Sequence, residues 1–109
     1  MYAPAALVAP GGFITGLSGG RAVSTTPGTP VKISSTSQSC TGAVVQALLT
    51  NTGNIAVGGN DVNVHGGAGA ENGIELIAGQ TITLYVVDAS LVYFDVEVSG
   101  EGVRFLLIK

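Results

Sequence analysis

The sequence predicts an all-β fold: a small antiparallel β-sandwich or barrel, jelly-roll-like, with an extended N-terminal arm. Three observations predict it. Apolar and polar residues alternate over several short runs, the period of a strand with one buried face. Gly- and Asn-rich turn signals separate those runs at short intervals, the pattern of a sandwich or barrel. The chain has 109 residues, 46% of them hydrophobic and 17 of them glycine, which suits one β-rich domain with a single core.

Taken in order, residues 1–30 form the arm or an edge-strand segment. They hold all four prolines, Pro4, Pro10, Pro27 and Pro30, among Ala, Gly, Ser and Thr. Proline removes a backbone donor and interrupts helices and central strands. Short extended pieces fit at residues 13–17 and 21–25. The domain proper is expected over residues 31–109. Val31 and Ile33 flank Lys32 in alternation. Residues 43–50 place Val45, Ala47 and Leu49 on one strand face, with a short helix as the competing reading because Ala and Leu favour one. A short strand follows at residues 54–57, after the turn signal Asn51-Thr52-Gly53-Asn54.

Further along, Ile82, Leu84 and Val86 alternate with Thr81, Thr83 and Tyr85. Ser90 to Tyr93 has room for a single helical turn. Val92, Phe94, Val96 and Val98 alternate with Tyr93, Asp95, Glu97 and Ser99, which predicts one buried face and one acidic face in water. The closing run, residues 103–108, is apolar on both faces apart from Arg104, so it is expected to be covered on both sides. Turns fit at residues 58–61, 66–69, 78–80 and 99–102, where Gly, Asn and Asp accept turn conformations.

Charge narrows the function classes. Charged residues make up 10% of the chain and the net charge is −3, against about 25% charged in an ordinary soluble domain. A surface so poor in charge fits a protein covered by a partner. The four basic residues, Arg21, Lys32, Arg104 and Lys109, form no run, which argues against nucleic-acid binding. No stretch approaches the ~20 apolar residues of a membrane helix, so no membrane partner is expected. Residues 3–10 lack the basic start of a signal peptide. Cys40 is the only cysteine, so no intrachain disulfide can form, which suits assembly in a reducing cytoplasm. It reads as a small buried hydrophobe.

Candidate chemistry is sparse. His65 is the only histidine and sits in a Gly-rich loop, so a His-based metal site needs carboxylates or symmetry-related copies. Asp95 and Glu97 share a strand face, and paired carboxylates can hydrolyse glycosides in a cleft with stacking platforms. With no Trp, three Tyr and three Phe, a solvated face is the simpler reading. Asn60-Asp61-Val62-Asn63 has alternate oxygens as calcium loops do, but lacks the further acids. The Gly pairs at 58–59 and 66–67 lack the Lys and helix of a phosphate loop. No catalytic residue, cofactor or metal is therefore expected.

A resemblance rests on residues 39–103. Its carriers are Cys40, Val44-Val45-Gln46-Ala47, residues 51–58, Gly73-Ile74-Glu75-Leu76, residues 78–84, residues 92–96 and residues 99–103. In this order of strand, Asn-rich turn, Val-Gly strand, Gly-Ile-x-Leu hairpin and two closing strands, the chain resembles small β-barrel or β-sandwich virion proteins of tailed bacteriophages, of capsid decoration or head-fibre type. The resemblance implies a structural protein that binds the outer surface of the head and stabilises it. The alternative it implies is a tail or head-fibre attachment module touching host ligands through exposed aromatics such as Tyr85 or Tyr93. It implies the major capsid protein as partner, a homotrimer, and a place on the virion surface after synthesis in the host cytoplasm. The contact residues expected are Tyr2, Leu7, Val8 and Phe13 of the arm, with Phe105 and Leu107 as exposed apolar residues of the last strand.

Overall fold

The computed structural model describes residues 14–64 and 71–109. The described residues form eight strands: β1 (Leu17–Ser24), β2 (Val31–Lys32), β3 (Gly42–Ala47), β4 (Ile55–Gly58), β5 (Ile74–Leu76), β6 (Thr81–Leu84), β7 (Tyr93–Val96) and β8 (Glu101–Ile108). They form two four-stranded sheets, ordered β1-β8-β3-β6 and β2-β7-β4-β5.

The pairing is nested. β4 pairs with β5, β3 with β6, β2 with β7 and β1 with β8, all antiparallel. Rolling such a ribbon places successive pairs in opposite sheets, and β3–β8 and β4–β7 contacts complete the two sheets. The result is the eight-stranded, double-sheet jelly roll. Of the sandwich and the barrel, the sandwich forms, since each sheet keeps two edge strands.

Side-chain alternation explains the core. β3 points Ala43, Val45 and Ala47 inward, and β8 points Val103, Phe105 and Leu107 to the same side. The opposite sheet answers with Ile55, Val57, Leu76, Phe94 and Val96. Small and large residues interdigitate across the gap of two facing sheets. Burying a side chain such as Phe94 contributes about 1.5–3 kcal/mol.

Several expectations change in detail. Residues 17–24, inside the segment read as arm or edge strand, are the edge strand β1. Its Gly19-Gly20 pair stands opposite Leu106 and Phe105. A Cβ on Gly20 would lie 2.3 Å from the end of the Phe105 ring, so the glycine makes room for that ring. β3 ends at Ala47, and Leu49 is 71% exposed, because Asn51 N donates to Leu48 O at 3.0 Å and turns the chain away. The single helical turn is Ala89–Leu91, one residue earlier than read; the Asp88 side chain caps it by accepting from Ser90 N at 2.9 Å. β8 is covered on one face only: Arg104 and Leu106 are exposed.

Candidate functional site

The two sheets differ in what covers their outer faces. On the sheet β2-β7-β4-β5, the outward residues Ala56 and Tyr93 pack with Val62 and Val64 into a small second core. Residues 62–64, which follow β4, therefore lie over this face. Asp95 also points outward here and is 0% exposed. Its Oδ1 accepts from Gly28 N at 2.8 Å and Val96 N at 2.9 Å, and its Oδ2 accepts from Val64 N at 3.0 Å. One carboxylate thus ties both covering loops to β7. This corrects the expectation of a solvated Asp95–Glu97 face. The alternation was right, but loops cover the outward side.

Glu97 and Glu101 are also structural. Glu97 accepts from Asn54 N at 2.6 Å. Glu101 accepts from Thr52 N, Thr52 Oγ1 and Gly53 N at 2.6, 2.9 and 2.9 Å. Burial acts to raise the Glu101 carboxyl's pKa, but those donors outweigh it and hold it below the ordinary range. Asp88 is held well below the usual carboxylate range by the Ser37 hydroxyl first, then by Ser90 and Gln38. Cys40 is buried, and burial, aided by nearby Asp88, pushes its thiol pKa up. These groups hold turns and loops together. Among the described residues no group of three or more His, Cys, Asp or Glu side chains comes together.

Among the described residues, nothing covers the outer face of the sheet β1-β8-β3-β6. The register places Leu17, Gly19, Arg21 and Val23 of β1 beside Ile108, Leu106, Arg104 and Gly102 of β8. Gly42, Val44 and Gln46 of β3 follow, then Thr83 and Thr81 of β6. No acidic residue stands at any of these outward positions. Leu17 is 61% exposed, and Val23 and Leu106 are each 40% exposed. Arg21 and Arg104 face each other directly across β1 and β8, a like-charge pairing that costs stability unless an anion or a partner answers it. Val44, Gln46, Thr81, Arg104 and Leu106 line a shallow hollow of about 180 Å³ on this face.

The expected contact residues fall differently. Phe105 and Leu107 point into the core, 9% and 0% exposed, so they are not surface residues of β8. Their neighbours Arg104 and Leu106 take the outward positions because β8 alternates strictly. Tyr2, Leu7, Val8, Phe13 and His65 lie outside the described residues. In the Asn60–Asn63 stretch, Val62 is buried and its N–H closes a turn onto Gly59 O at 3.1 Å. Tyr85 is 68% exposed, whereas Tyr93 packs on the second core. The signal for the bare face was Arg104 itself, whose charge marks the even-numbered side of β8 as outward.

No family model, curated protein or solved structure matches this chain. The fold and the bare face stand on the chain's own geometry.

Proposed function

We propose that the chain is a structural, non-catalytic virion protein that decorates the head of a tailed phage, docking on the major capsid protein through the outer face of β1-β8-β3-β6. The observation that carries this reading is the acid-free bare face. One sheet of the sandwich is closed over by loops; the other offers exposed Leu17, Val23 and Leu106 around the Arg21–Arg104 pair. Apolar surface around two like charges, with Arg104 Nε donating only to the neutral Gln46 Oε1 at 2.5 Å and no acidic residue among the outward positions, fits a protein partner whose own surface is apolar and acidic. The jelly roll supports the reading in a general way, because viral capsid proteins use it, as do lectins and cupins. The resemblance of residues 39–103 to tailed-phage virion proteins supplies the particular host structure.

Co-sedimentation with purified mature heads tests it. The wild-type protein is expected in the pellet with the shells. Leu106→Lys, at an exposed position, is expected to stay in the supernatant while keeping its β-rich circular dichroism. Wild-type protein that never pellets with any head would overturn the reading. An attachment module would instead bind host surface glycans, with Tyr85 as the exposed aromatic.

A further inference from the structure

Among the described residues, three of the four sheet edges carry a device that blocks pairing with another strand. β1 has Arg21 at its centre; β2 is two residues long, follows Pro30 and contains Lys32; β5 is three residues long and contains Glu75. Charge, proline and shortness are the usual protections of an exposed edge. β6 has none of the chemical ones. From Thr81 to Val87 the chain reads Thr-Ile-Thr-Leu-Tyr-Val-Val, without charge, proline or glycine. Thr81, Thr83, Tyr85 and Val87 along it are exposed.

The core is also open along this side. β5 and β6 each end their sheet and are joined by residues 77–80 only. Ile74 stands beside the buried Val57, on the inward side of its sheet, yet is 54% exposed. Ile82, Leu84 and Val86 face the core and are only partly buried. At the opposite side, β1 turns small residues inward, among them Ser18, Gly20 and Ala22. The β5–β6 side thus combines an unprotected strand edge with apolar residues that the monomer leaves incompletely covered.

The ladder fixes which backbone groups are free. Ala47 N donates to Gln80 O, and Leu48 N donates to Gly102 O. Antiparallel hydrogen-bonded pairs recur every second residue, so the odd-numbered residues of β3 bond β6 and the even-numbered ones bond β8. The positions of β6 bonded to β3 are then Ile82 and Leu84, and Thr81 and Thr83 direct their N–H and C=O groups away from the sheet. We infer that β6 pairs antiparallel with β6 of a second copy of this chain, about a two-fold axis at Ile82, joining the two sheets β1-β8-β3-β6 into one.

The strand is complementary to itself in this register. Thr81 meets Thr83 of the second copy in a hydrogen-bonded pair, and Thr83 meets Thr81 in the same way. All four outward-facing backbone groups of each strand are satisfied. Thr–Thr pairs across antiparallel strands are favourable, and the two copies of Ile82 meet on the inward side, where each monomer leaves that residue half covered. A two-fold contact closes on itself and stops at a dimer. This inference is independent of the decoration reading. It also replaces the trimer that the phage resemblance implies with a two-fold pair.

Light scattering on the purified full-length chain tests it across a dilution series. The expected mass is twice 10.8 kDa, falling to the single-chain value on dilution. The double substitution T81K/T83K sets like charges opposite each other across the axis and is expected to give a monomer. T81K/T83E sets opposite charges there and is expected to restore the dimer, a rescue that a merely unfolded variant cannot show. Amide exchange at Thr81 and Thr83 supplies a second readout, with protection rising with concentration. A wild-type monomer at every concentration, a trimer, or a growing series of masses would overturn the inference, as would a dimer that T81K/T83K leaves intact.

Discussion

Asp95 shows how one side chain can hold two loops against the outer side of a sheet. Three backbone donors converge on its carboxylate, from the loop before β2, from the segment after β4 and from its own strand. Among the described residues no buried side-chain nitrogen or oxygen lacks a hydrogen-bond partner, and this carboxylate meets that rule through backbone donors alone. Asp95→Ala would strand those donors, two of them in buried bonds, and each orphan costs about 1–3 kcal/mol. The expected loss is about 3 kcal/mol of folding stability, read as a lower urea midpoint. An unchanged midpoint would mean that water replaces the carboxylate without penalty. The sequence placed Asp95 on the correct side of β7 and misread its surroundings. Alternation reports which side a residue takes; it carries nothing about loops that fold over that side from distant parts of the chain.

At the scale of elements, legibility followed uninterrupted period. β6, β7 and β8 were readable because polar and apolar residues alternate through them. β1 was read as two extended pieces because Gly19-Gly20 breaks its pattern, and only the Phe105 ring opposite explains why glycine belongs there. The outward side of β8 was hard to see because Leu106 is as apolar as its inward neighbours Phe105 and Leu107. The turns between strands depend on carboxylates, and this gives them an acid sensitivity. The Glu101 carboxyl has a lowered pKa when folded, and so does that of Asp88, against ordinary values of about 4.3 and 3.9. A carboxyl with a depressed folded pKa binds its proton more readily in the unfolded chain. Its contribution is therefore complete above the unfolded pKa and is lost as pH falls through the folded one. Urea midpoints measured from neutral pH downward are expected to hold steady and then fall below about pH 4. Glu101→Gln should lower the midpoint at neutral pH and converge on the wild type in acid. A constant gap between the two at all pH values would assign the Glu101 contribution to shape rather than charge.

For the whole molecule, the consequence lies in combining a bare face with an open edge. Pairing at β6 would carry the outer face of one β1-β8-β3-β6 sheet directly into that of the second copy. Two hollows and two Arg21–Arg104 pairs would then lie on one continuous surface, related by a two-fold axis. A shell built from many identical subunits can engage both halves at once, and the second contact forms at a high effective concentration. In the proposed decoration role the docking surface exists only on the assembled shell, so binding there would raise the shell's resistance to disassembly. The expected size is about 2.7 kcal/mol per site when free protein stands at a hundred times its Kd. Calorimetry of heads with and without added protein reads this as a higher transition temperature. Leu106→Lys, at the exposed centre of the proposed docking face, should give no rise. Heads that melt at the same temperature at saturating wild-type protein would rule out the decoration role, while the mass of the free protein would still decide the β6 pairing separately.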